Sequence, residues 1–302
     1  MILMKCRIIP VGIVKQLCQL VGWLVILSPA LLPAAHAQES ASAPGAALVS
    51  PEAPAPVTAA PSEAEPKLLT NYVESGGSYL TLTNGFGYWA GGYSRGVVTT
   101  GKNIWNGEIN GQREFGDAGV YFAAGDTYNF NPDWYGSLTL GSSAGGFFWP
   151  RFRADGFLNK KWLGRRQWVT TFGVGYNIAK DVHRDHTFFA GSTYYFNRPW
   201  VIEEGIYFNL SHPGAVFAPA GFVALTQGRN KRHYVTVRTG FGEEAYQLIG
   251  PTATLNDFQS QTLTLTWRQW IGTNWGFNFV GDYYRSPFYM RGGSSFGFFK
   301  EF

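Results

Sequence analysis

Cysteine is nearly absent from this chain: two in 302 residues, Cys6 and Cys18. Beyond them no disulfide framework or thiolate metal site can be built. Lys15 and Gln16 stand where small or apolar residues should precede a lipidated cysteine, which excludes Cys18 as a lipid anchor. Charge is also sparse, at 15% of residues. From about residue 75 onward no apolar run is long enough for a membrane-spanning helix. No phosphate-cradling glycine loop, zinc-ligand spacing or nucleophile elbow occurs, so no cofactor, metal or catalytic set is expected.

The N-terminus reads as an export signal. Lys5, Arg7 and Lys15 form a basic start, residues 20–27 a short apolar core, and Ala35-His36-Ala37 a cleavage site. Residues 1–37 are therefore expected to be removed. Three of the 24 basic residues and none of the 20 acidic ones precede the cut, leaving a balance of 21 to 20. That balance gives no support to nucleic-acid binding. Residues 38–67 hold nine alanines, six prolines and no aromatic residue. Such a segment cannot offset the entropy of packing, and 38–70 is expected to be a disordered periplasmic tether.

From Tyr72 the composition changes. The remaining 231 residues carry 50 of the 51 aromatics. Trp168, Thr170, Phe172, Val174 and Tyr176 alternate with Val169, Thr171, Gly173, Gly175 and Asn177. Leu263, Leu265 and Trp267 oppose Thr262, Thr264, Thr266 and Arg268, and Trp275, Phe277, Phe279 and Tyr283 oppose Asn274, Asn278 and Asp282. A period of two is the strand signature. Extended segments with one greasy and one wet side, behind an export signal, predict an all-β, antiparallel, up-and-down transmembrane barrel over 71–302. Short turns near 101–103, 131–133, 164–166, 198–199, 228–230 and 271–273 interleave with mostly longer connections at 143–149, 180–185, 212–217, 244–257 and 286–290. Tighter turns near 84–87 and 115–118 complete the series, giving about 14 strands, with 12 or 16 as alternatives.

Tryptophans near these turns suit the aromatic belts where acyl chains meet headgroups: Trp105, Trp134, Trp149, Trp162, Trp168, Trp200, Trp270 and Trp275. The opposite face carries the charge. Glu108, Glu114, Arg151, Arg153, Asp155, Lys161, Arg238, Arg268 and Asp282 are candidates to line a lumen, either a charge-tuned channel or a plug of ion pairs. Arg113 and Glu204 fit poorly, since the alternation turns both toward lipid. Either each sits near a rim, or the register slips at Gly111 and Gly205. His183 and His186 with Asp181 and Asp185 form a loose metal-ligand set, and Ser211-His212 a faint hydrolase hint. A solvated charged loop and an ordinary strand end explain them as simply.

At the end of the chain, Phe296, Phe298 and Phe302 share one face, resembling the signal by which the barrel insertion machinery recognises its clients. Lys300 departs from that pattern. The stretches Gln112–Asp117, Asp133–Leu138, Phe148–Phe152, Ala224–Arg229 and Thr266–Trp270 resemble the YaiO-type outer-membrane β-barrel family. That family is similar to the barrel portions of bacterial exopolysaccharide exporters, which also carry periplasmic helical repeats. This chain has no such repeats. The resemblance implies a non-enzymatic outer-membrane protein of a Gram-negative bacterium, surrounded by lipid, with a saccharide as candidate solute. A closed adhesive barrel working through loop 244–257 is the other expectation.

Overall fold

The computed structural model describes residues 71–197 and 199–302. The export signal and tether lie outside the described residues. The strands are β1 (Tyr72–Leu82), β2 (Tyr88–Thr100), β3 (Asn103–Glu114), β4 (Asp117–Asn129) and β5 (Trp134–Gly145). They continue as β6 (Phe152–Trp162), β7 (Trp168–Ile178), β8 (Arg184–Tyr195), β9 (Trp200–His212) and β10 (Val216–Arg229). The last are β11 (His233–Leu248), β12 (Thr254–Trp270), β13 (Trp275–Arg285) and β14 (Met290–Glu301). Each pairs antiparallel with its sequence neighbours, and β1 pairs with β14 from Tyr72↔Glu301 to Leu82↔Arg291, closing the barrel. Closure is what a β protein needs in hydrocarbon, where an unpaired peptide group finds no water.

The outward face follows the predicted alternation. Ile109, Leu138, Phe172, Val174, Phe188 and Phe298 are all exposed, while their neighbours in sequence turn inward. Small inward residues make room for large ones. A Cβ on Gly141 would fall 2.0 Å from the Tyr121 hydroxyl, and one on Gly276 would fall 1.9 Å from the Gln269 carbonyl oxygen. The first clash is with a side chain, the second with backbone.

Both described ends, Tyr72 and Glu301, open on one rim, here the terminal rim. Its turns are two to five residues long, against two to six at the opposite rim. The expected contrast between short turns and long loops is therefore slight. The reason is that residues 244–257 are mostly strand: β11 and β12 run for 16 and 17 residues and outreach their neighbours. Arg113 is the penultimate residue of β3, at the opposite rim, with its guanidinium 5.9 Å from the Tyr88 ring centroid. Pairing runs through Gly111 and Gly205 without a slip, so Glu204 does face outward.

Two measurements check this architecture. Unheated protein should migrate differently from boiled protein on a detergent gel. Gly276→Ala should lower the unfolding midpoint, because the Gln269 carbonyl cannot move without breaking the ladder. Gly107→Ala should leave it unchanged, since its nearest obstacle is 3.8 Å away.

Candidate functional site: the barrel interior

The interior has three layers. Nearest the terminal rim, Glu74 of β1 is fully buried and held by four donors. Tyr93 Oη donates at 2.9 Å, Arg95 Nη2 at 3.0 Å and Asn278 Nδ2 at 2.5 Å, and Arg268 Nη1 lies 3.5 Å away. Arg268 also stacks on Phe299, 3.7 Å from its centroid, and sits 5.1 Å from Trp270 and Tyr72. Trp270 Nε1 donates to Glu301, which Lys231 approaches from the β10–β11 turn. Two guanidiniums, one of them covered by aromatic faces, compensate the buried carboxylate, while Arg95 keeps 31% of its side chain accessible.

Further ion pairs line the wall beyond this layer. Arg153 and Asp155 pair at 2.6 Å and each keeps 21% of its side chain accessible. Arg291 and Asp282 pair at 3.0 Å nearer the opposite rim, where the Arg291 guanidinium lies 4.4 Å from the Trp89 ring centroid. Glu108 lies within Coulombic range of Arg95 and Arg153. Arg238 stacks 3.5 Å over the Phe222 ring, beside Tyr207 and Glu203. Phe157, Phe189, Tyr207 and Phe222 form a contiguous aromatic wall with centroid separations of 4.7–6.4 Å. The wall lies flat because Gly173, Gly191 and Gly205 leave the backbone bare beneath Phe157 and Phe189. Thr262, Thr264, Thr266 and Ser295 stand on the inward faces of β12 and β14.

Beneath the opposite rim the barrel is stoppered. Loop 146–151 folds inward: Phe147 N donates to Asp117, Ser143 Oγ donates to the Pro150 carbonyl, and Lys180 Nζ donates to the Gly145 carbonyl. Trp149 stacks on Tyr121 at 5.0 Å. The outrunning end of the β11–β12 hairpin bends in from another side. Ala245, Tyr246, Gln247 and Leu248 are all buried. Tyr246 Oη donates to Asp185 at 3.0 Å, and its ring lies 3.9 Å from that of His183. Gln247 Nε2 donates to Tyr289 Oη at 2.6 Å. Burial pushes the Tyr289 phenol up to about 12, so it stays protonated at physiological pH. Phe86, Phe115, Trp89 and Phe258 complete the stopper.

Of the lumen candidates, Glu108, Glu114, Arg153, Asp155, Lys161, Arg238, Arg268 and Asp282 occupy inward positions. Arg151 does not: it lies in the β5–β6 loop, exposed, donating to the Lys180 carbonyl. Trp105, Trp134, Trp162, Trp168, Trp200 and Trp275 take outward positions near the terminal rim. Trp149 and Trp270 leave the expected belt, each only 7% exposed, one in the stopper and one in the terminal layer. Glu74, Arg95, Glu203 and Arg291 are inward charges that sequence reasoning missed. Parity with Glu108 and Asp282 across the hairpins would have found Arg95 and Arg291.

Asp181 and His183 pair at 2.5 Å beneath the hairpin while His186 points outward, so the four-residue metal set is divided. Ser211 is inward and His212 outward, which separates that pair by the wall itself.

Replacing Glu74 by Gln should cost about 3–5 kcal/mol, since two guanidiniums lose their buried anion. Asp133→Asn, breaking the half-exposed Arg166–Asp133 pair, should cost about 0–1 kcal/mol. Urea unfolding in lipid vesicles would measure both.

Comparison with known proteins agrees with this architecture. The family described as "YaiO membrane beta barrel domain" matches residues 70–247. No curated protein sequence matches the chain. Among solved structures, the CymD monoaromatic hydrocarbon channel aligns with a TM-score of 0.55 at 7% identity, covering 77% of this chain and 88% of that one. The Pseudomonas putida toluene transporter TodX aligns with a TM-score of 0.50 at 11% identity, covering 77% and 89%. At such identities the likeness is one of fold.

Proposed function

We propose that this chain, which belongs to the YaiO membrane beta barrel family, is a non-enzymatic passage for small polar solutes across the outer membrane, occluded at rest by its own loops. The observation that carries the reading is that ion pairs inside the wall stay partly accessible, Arg153 and Asp155 at 21% each and Arg95, beside the buried Glu74, at 31%. An interior meant only to be filled would bury those pairs or replace them with apolar side chains. Its cations face anions, so the passage should discriminate weakly between small ions. An aromatic wall in an interior that also offers the hydroxyls of β12 and β14 suits a saccharide, whose ring faces stack on aromatics while its hydroxyls find partners. The channels of similar fold carry hydrocarbons by their names. Charge pairs inside the wall favour a polar solute here.

The terminal rim faces the periplasm in this reading and the stopper faces outward, with the outward band of β14 (Phe296, Phe298) and Phe302 offered to the insertion machinery. The adhesive alternative loses part of its surface, because Ala245–Leu248 are buried, and keeps 251–253, Asn256 and Asp257 exposed.

Planar-bilayer recordings test the proposal. The wild type should give small, infrequent openings. Tyr246→Ala, which unties the hairpin from Asp185 and His183, should raise open probability several-fold. Arg153→Glu should shift reversal potentials toward cation selectivity. Correctly folded protein that stays silent in the wild type and in Tyr246→Ala would refute the passage. Sucrose or maltose that fails to alter the conductance of the open variant would refute the saccharide.

A further inference from the structure

The outward face carries one feature that neither a belt nor a lumen explains. A single hydrogen-bonded row crosses it from β5 to β9: Trp134↔Lys160, Lys160↔Thr170, Thr170↔Ser192 and Ser192↔Glu204. Every member after Trp134 is polar, and the row has a cation toward one end and an anion at the other. Trp162 Nε1 donates to Thr170 Oγ1 and Trp168 Nε1 to Ser192 Oγ, both at 2.8 Å, so two exposed indoles sit over the row's middle. Lys160 Nζ lies 3.6 Å from the Trp162 centroid and 4.9 Å from that of Trp134.

Glu204 stands four residues into β9 from Trp200, exposed, and makes no hydrogen bond or ion pair among the described residues. The other outward charged or imidazole side chains of the closed wall lie within three residues of a strand end. Glu243 is farther in, but beyond Gly242, where β11 leaves β10. At ~3.3 Å per residue on a strand tilted by ~40°, Glu204 sits roughly 10 Å deeper than the belt tryptophan at Trp200. A lipid headgroup amine stays near that belt and would have to descend to reach it.

We propose that this row is a two-fold interface with a second copy of the chain, in which Glu204 of each copy meets Lys160 of the other. The charge pattern is self-complementary: rotation about the membrane normal exchanges the ends of the row, as an isologous contact requires. Counted from the terminal rim, Lys160 is the third residue of its strand and Glu204 the fifth. Because their shared row runs perpendicular to strands tilted by ~40°, their depths differ by roughly 9 Å, which the lysine and glutamate stems span together. Within one barrel the two are three strands apart, about 14 Å, too far to pair directly. The exposed Trp162 and Trp168 supply the aromatic centre typical of such contacts.

Native mass spectrometry of the full-length protein in lipid nanodiscs and mild detergent tests this, with heat-modifiable migration as the check on folding. The wild type should be dimeric. Glu204→Lys and Lys160→Glu should each weaken self-association at least tenfold, and the double exchange should restore it. Copies carrying Lys160→Cys and Glu204→Cys, co-expressed, should be joined by a short bifunctional maleimide that joins neither variant alone. A wild type monomeric at all concentrations overturns the proposal, as does a folded double exchange that stays monomeric. A monomer retaining phosphatidylethanolamine that Glu204→Gln releases would overturn it in favour of a lipid amine.

Discussion

Everything in this molecule follows from the requirement that no peptide group be left unpaired in hydrocarbon. Fourteen strands meet it by closing β1 onto β14, and the ring that results has two surfaces in contact with different solvents. Side-chain alternation then sorts residues between lipid and interior with no further instruction. Charge can be placed inside almost freely, provided each ion finds a counter-ion or water. Outside, charge is tolerated chiefly at the rims.

The interior shows how that freedom is used. At the terminal end, a single buried carboxylate organises two guanidiniums, a phenol and an amide, and aromatic faces cover one of the guanidiniums. At the other end, loops and an overlong hairpin bring apolar rings together. The two ends resist opening by different means. The first depends on ion pairing around a buried carboxylate, the second on packing of segments tied to the wall by a few hydrogen bonds.

Strand number, closure and the wet or greasy side of most positions were legible in the sequence, because a period of two survives wherever one face meets lipid. It failed where that condition lapsed. Ala245–Leu248 are covered on both sides, so their alternation vanishes and they read as loop. Trp149 and Trp270 were assigned by nearness to a turn, which says nothing about side. Yet Trp270 shares parity with Arg268, two residues earlier, and that signal was present. Glu74 was missed because Val73-Glu74-Ser75-Gly76-Gly77-Ser78 offers too few apolar residues to define a face.

The seam between Tyr72 and Glu301 joins residues at opposite ends of the described chain. The seam cannot form until the last strand has arrived, so until then β1 and the newest strand each present an open edge. Such long-separation contacts are slow to form, and exposed edges invite pairing with other chains. An escort that shields these edges during transit is thus a consequence of topology, whatever the finished protein carries.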